Sequence, residues 1–200
     1  MLMYIFNTSA FCADNSLDYS VFGNFSDRSL IMKSLNGENR ATQEQRDVLE
    51  HKKLKPTVNC LVEQIKKGNK ENAEILLEAK VNPNEPFNMD YPIFIAAKSN
   101  DTEMVKLLYS YGAKLDKGFG SELYEAIKNK NVELTDFLID NGARINYRDS
   151  VTGNTPLYIA LKNDMTDTSI KLIKKGASIN QKTYLLLRKK KLDYLLEGAK

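Results

Sequence analysis

Side chains that build metal sites and nucleophilic active sites are scarce in this chain of 200 residues. It has one histidine, two cysteines and no tryptophan. Cys12 and Cys60 are too few for a disulfide framework or a zinc site, and His51 alone would have to serve any Ser–His–Asp triad. We expect no catalytic group and no metal, with His51 on a helix surface and Cys60 packed in the core.

Long apolar runs are absent as well. No run approaches the roughly 18 to 20 apolar residues that span a bilayer, so no membrane helix is predicted. Residues 1–11 are apolar, but no Lys or Arg precedes them and Asn7 and Thr8 interrupt them, which is not the pattern of a cleaved signal peptide. The balance of 42% hydrophobic and 28% charged residues is typical of a chain that folds around a buried core.

Charge is unevenly distributed along the chain. The net charge is +3, yet residues 155–200 carry 10 basic and 4 acidic side chains. A basic end can attract nucleic acid, but Arg188-Lys189-Lys190-Lys191 has no interleaved aromatic residues and belongs to no recognised motif. Gly118-Phe119-Gly120 likewise lacks the lysine and the preceding strand of a phosphate-binding loop. We therefore expect no nucleic-acid partner, no small-molecule substrate and no cofactor.

Internal repeats dominate the sequence. Three segments begin at a helix-start residue and end in alanine: 91–96, 121–126 and 155–160. Each is followed, 20 residues after its second position, by Gly-Ala, and then by an aliphatic residue with Asp or Asn. Proline suits the first turn of a helix, and glycine suits the left-handed residue that ends one. Each unit therefore predicts two helices joined by a short turn.

The segment Thr155-Pro156-Leu157 resembles the Thr-Pro-Leu-His-x-Ala motif of the ankyrin repeat, whose period is about 33 residues. Phe94, Tyr124 and Tyr158 stand where that motif has histidine. The resemblance implies an all-α solenoid of stacked helix–turn–helix repeats with projecting finger loops. It covers residues 56–200, as repeats near 57–83, 91–116, 121–146 and 155–180 and a partial capping copy at 183–200.

Residues 1–55 do not fit the repeat. Thr42 to Lys55 is predicted as a helix with Thr42 as its cap, and Pro56 marks the boundary. We therefore divide the chain into a short non-repeat N-terminal segment, 1–55, and an ankyrin-repeat domain, 56–200, with about four repeats and the partial cap.

Ankyrin resemblance implies a module that binds a protein partner through a concave face formed by the first helices and the fingers. Aromatic residues, Met and Arg on projecting loops are the types enriched at interface hot spots, although an aromatic residue here can instead pack on a neighbouring finger. We predict partner contacts from seven finger residues: Phe87, Met89, Lys117, Phe119, Tyr147, Arg148 and Val151. We expect a monomer that acts in the cytoplasm.

A lysine- and asparagine-rich ankyrin array at a carboxyl terminus also resembles the OspC-type type III effectors, which bacteria deliver into host cells. This resemblance implies a truncated effector or, as the alternative function, transfer of ADP-ribose from NAD to an arginine of host caspases. That activity relies on an acidic residue and a histidine, for which Glu44, Glu50 and His51 are available. Since residues 1–55 are too few for an NAD-binding domain, we expect a binding module without transferase activity.

Overall fold

The computed structural model describes residues 43–118, 120–192 and 194. Within these ranges the chain forms ten helices and no strand: α1 (Gln43–His51), α2 (Val58–Lys66), α3 (Lys70–Glu78), α4 (Pro92–Lys98), α5 (Thr102–Ser110), α6 (Glu122–Lys128), α7 (Val132–Asp140), α8 (Pro156–Lys162), α9 (Thr166–Lys174) and α10 (Gln181–Lys189). The predicted all-α class is confirmed. Outside the described residues lie the segment before Gln43, Phe119, and most of the part of the predicted capping repeat that follows Leu192.

Helix starts and ends follow from the residues that the repeat places there. Thr155 accepts a hydrogen bond from the Tyr158 N–H at 3.3 Å, which satisfies a first-turn donor of α8. Pro156 occupies the first helical position, where its missing N–H leaves no bond unmade. After α7, Gly142 adopts a φ of +81°, the left-handed conformation that ends the helix.

Helices stack in two layers. The inner layer contains α2, α4, α6, α8 and α10, and each inner helix packs against the next one in the row. The outer layer contains α1, α3, α5, α7 and α9. Fully buried leucines, among them Leu76, Leu108 and Leu138, come from the outer helices and fill the space between the layers. Ala96, Ala126 and Ala160 have no exposed surface where inner helices pass one another. One repeat alone could not bury these faces, so neighbouring repeats stabilise each other.

Helix α1 packs as an outer helix against α3. Its closing turn matches that of α5: the Leu54 N–H donates to the Leu49 carbonyl at 2.8 Å, as Ala113 does to Leu108 at 3.0 Å. Lys53 has a φ of +53° at the position that Gly112 holds after α5. Helix α1 thus agrees with the helix predicted from Thr42 to Lys55, and it packs in the manner of an outer helix of the stack.

Candidate partner-binding surface

Within the described residues, the three longest connections from an outer helix to the following inner helix are the ones that we call fingers. We define the first finger as residues 79–91, the second as 111–121 and the third as 141–155. The first finger contains an antiparallel backbone bridge between Phe87 and Asp90, with hydrogen bonds of 2.8 and 3.0 Å. The third finger closes through Asp149, whose carboxylate accepts from both the N–H and the hydroxyl of Thr152 at 2.7 and 2.6 Å. These bonds give both fingers a defined shape.

Each finger also packs against an aromatic or lysine side chain of the inner helix that precedes it. In the second finger, a Cβ added to Gly120 would lie 2.2 Å from the Phe94 ring, so only glycine allows this approach. In the third finger, the Tyr147 ring meets Tyr124 of α6 edge to face, with centroids 5.5 Å apart. In the first finger, the Phe87 ring lies 5.0 Å below the Lys66 ammonium. Phe94 and Tyr124, which stand where the ankyrin motif has histidine, thus support the second and third fingers by packing.

Hydrogen bonds join each finger to the connection that follows the next outer helix. The Asn84 amide donates to the Gly112 carbonyl and accepts from the Lys114 N–H, both at 2.8 Å. Asn146 repeats the pair with Gly176 at 3.1 Å and Ser178 at 2.7 Å. These bonds recur from one repeat to the next, so the fingers form one connected edge of the stack.

Asp116 takes the same position in the second finger but cannot make the same pair of bonds. Its carboxylate accepts from the Arg144 N–H, yet it has no amide hydrogen to donate to the neighbouring carbonyl. Its Oδ1 atom is buried and receives no hydrogen bond from any other described residue. An unpaired buried oxygen of this kind normally costs about 1 to 3 kcal/mol.

Glu122, the first residue of α6, lies against Asp116 and is only 1% exposed. Its Oε2 atom accepts from the Asp116 N–H at 3.1 Å. Burial, together with the charge of Asp116, raises the pKa of the Glu122 carboxyl from 4.5 to about 7. When protonated, Glu122 can donate to the neighbouring Asp116 carboxylate, so the base of the second finger contains a glutamate that takes up a proton near neutral pH.

The predicted contact residues fall into two groups. Met89, Lys117, Arg148 and Val151 are exposed, with Met89 at 72% and Val151 at 90%. Phe87 and Tyr147 are partly buried and pack against the core as well as bordering the surface. Phe119 lies outside the described residues. The surface therefore has exposed tips that rest on packed aromatic residues.

Three residues of this surface escaped the sequence analysis: Asn84, Asp116 and Glu122. The Gly112-Ala113 pair marks the position of Asp116, whereas no Gly-Ala pair precedes Asn84, and only the folded stack shows that both residues bond to the next finger. Nothing in the sequence marks Glu122 as buried, because exposed glutamates at the first turn of a helix have the same local pattern.

The described part of the chain has no group of three or more His, Cys, Asp or Glu side chains arranged to hold a metal ion. Within the same residues, no helix is both long enough and apolar enough to cross a bilayer.

Comparisons with known proteins agree with this architecture. The chain is 38% identical over 95 residues to an ankyrin-repeat protein of fowlpox virus, covering 46% of this chain and 23% of that protein. It is 33% identical over 91 residues to human ankyrin repeat and SOCS box protein 11, covering 44% and 28%. The chain therefore spans about a quarter of the length of these relatives.

A solved structure and a family model extend the similarity along the stack. The crystal structure of the human ASB11 ankyrin repeat domain superposes with a TM-score of 0.52 at 26% identity, over 65% of this chain and 67% of that one. The family model for ankyrin repeats in three copies matches residues 61–149 and 93–183. The chain belongs to the ankyrin-repeat family, and its repeats indicate a protein–protein interaction module.

Proposed function

We propose that the chain is a non-enzymatic, monomeric module that binds a protein partner through the inner helices and the three fingers. The module comprises residues 56–200 together with α1. The effector resemblance also implies delivery into a host cell and binding of a caspase. Both stay predictions, because neither the geometry nor the relatives test them.

One observation carries the proposal: the two most exposed large apolar side chains in the described part of the chain are Met89 and Val151, at 72% and 90%. Both sit on fingers, and neither belongs to the buried core. Apolar side chains held on a connected scaffold are the groups that become buried when a partner docks. The fold does not need them, so partner binding is the role that explains their position.

The fingers themselves are well suited to present such residues. Asn84 bonds to the second finger and Asp116 bonds to the third, and the Tyr147 ring packs on Tyr124. A surface that is ordered before binding loses less conformational entropy when the partner arrives. This supports a preformed interface over a loop that folds on its partner.

The test is capture of proteins from cell extract on the immobilised full chain. The double variant Met89→Ser with Val151→Ser should weaken capture by about tenfold or more, because both apolar contacts are lost while the fold stays unchanged. The matched control is Val132→Ser, since Val132 is 54% exposed but lies on the outer helix α7. Equal loss in the control, or full retention in the finger variant, would contradict the proposal.

A further inference from the structure

Every inner helix in the described part of the chain ends in an exposed lysine. These five side chains, which we call the lysine row, are Lys66, Lys98, Lys128, Lys162 and Lys189. Lys98, Lys128 and Lys162 lie one helical turn beyond Phe94, Tyr124 and Tyr158. Residues four apart share a face of a helix, so the lysines continue the same side of the stack on which the aromatic residues support the fingers.

The helix dipole does not explain the row. A lysine at the carboxyl end of any helix is favoured by the partial negative charge there, and this applies equally to the outer helices. Four of those five end in another residue, and only one ends in lysine: His51, Glu78, Ser110, Asp140 and Lys174. Lysine at every inner-helix end is therefore a property of the inner surface.

Charges on the outer helices neutralise one another across repeats. Lys70 bonds to Glu103 at 3.0 Å, and Lys171 bonds to Asp136 at 2.8 Å. Among the described residues, Lys128 is the one member of the lysine row with a carboxylate partner, Glu125 at 3.1 Å. No ion pair within the described residues involves Lys162 or Lys189.

We propose that the lysine row binds an extended acidic segment of the protein partner. This inference rests on the proposed function and specifies the chemistry of the partner. Lys66 and Lys98 lie over aromatic rings, 5.0 Å from Phe87 and 6.0 Å from Phe94, so their ammonium groups stay available to a carboxylate. The unpaired positive charge of the row is complementary to aspartate or glutamate side chains.

The spacing of the row fits a polypeptide. Packed helices lie about 8 to 10 Å apart, and an extended chain rises about 3.3 Å per residue. An acidic residue at every third position therefore meets successive lysines, and the residues between them can contact Phe94 and Tyr158.

A nucleic acid fits the row less well. Duplex DNA carries one charge per about 1.7 Å of axis, and its affinity grows with the number of phosphates that are neutralised. The row offers one cation per about 10 Å by the same packing distance, contains no arginine, and has Glu125 beside it. A protein segment can place its carboxylates away from Glu125, whereas an evenly charged backbone cannot.

The probe is a fluorescently labelled peptide of about 15 residues with Glu at every third position, and anisotropy measures its affinity for the full chain. The triple variant Lys98→Gln, Lys128→Gln, Lys162→Gln should weaken binding by about tenfold or more, and raised salt should weaken the wild type similarly. The control triple Lys70→Gln, Lys174→Gln, Lys175→Gln removes the same charge from exposed lysines on or directly after the outer helices α3 and α9 and should bind normally. Circular dichroism verifies that both variants fold.

Three results would overturn the inference: no binding of the acidic peptide, equal binding of a peptide with Gln for each Glu, or equal loss in the control triple. Tighter binding of a single-stranded DNA oligonucleotide of equal charge would instead assign the row to nucleic acid. Capture on the immobilised chain separates this inference from the proposed function. If the lysine-row variant captures proteins normally and the finger variant does not, the lysine row is refuted and the finger interface is supported.

Discussion

Glu122→Gln tests the carboxyl pair at the base of the second finger. The Glu122 side chain is 1% exposed and faces Asp116, whose Oδ1 atom receives no hydrogen bond within the described part of the chain. A glutamine amide can still accept from the Asp116 N–H, and its nitrogen can donate to the unpaired carboxylate oxygen at every pH. We therefore expect the variant to be more stable than the wild type above neutral pH.

The sign and size follow from the pKa of Glu122, which burial raises from 4.5 to about 7. Between these two values the folded chain binds more protons at this site than the unfolded chain. The free energy of unfolding therefore falls as pH rises through this interval and levels off above it. The full effect is about 3 kcal/mol, of which about 2 to 3 kcal/mol separates pH 5 from pH 8.

Urea unfolding followed by circular dichroism measures the difference between variant and wild type at each pH. Taking the difference removes the contribution of titrating groups that do not interact with Glu122. Glu125→Gln is the control, because Glu125 lies on the same helix and pairs with Lys128 at the surface. The reasoning fails if the stability gained by Glu122→Gln is the same at about pH 5 as at about pH 8, or if Glu125→Gln shows the same pH dependence.

Two further substitutions test the packing of the stack. Asp116→Asn should raise the free energy of unfolding by about 1 kcal/mol, because an amide can donate to the Gly142 carbonyl as the Asn146 amide does to the Gly176 carbonyl. An unchanged urea midpoint would contradict this bond. Leu138→Ala should cost about 2 to 5 kcal/mol, since Leu138 has no exposed surface. Leu185→Ala, at 57% exposure, should stay within about 0.5 kcal/mol, and similar losses in both variants would refute the assignment of Leu138 to the core.

Most of the fold was predictable because its helix boundaries are set by local chemistry. Proline favours a helix start, as Pro156 does here, and glycine favours a helix end, as Gly142 does. The regular recurrence of these residue types therefore reveals the repeat. A helix was predicted from Thr42 to Lys55, but its packing as an outer helix was not, because Lys53 takes the left-handed conformation without being glycine. Packing of Leu49 and Leu54 in the core stabilises that turn, and such tertiary stabilisation leaves no local signal.

Less of the binding surface was predictable. Loop position identified Met89 and Val151 as exposed, but Tyr147 carries the same residue-type signal and packs on Tyr124. An aromatic side chain favours both a core and an interface, and only its neighbours decide between them. The pairing of Asp116 with Glu122 required the fold, because it depends on how closely the second finger approaches α6.

Amide hydrogen exchange on the full chain, measured alone and with the captured partner, tests the central claim most directly. The account predicts that the partner slows exchange in the three fingers and in the inner helices α4, α6 and α8, while exchange in the outer helices α5, α7 and α9 is unchanged. Protection confined to the outer helices would contradict it.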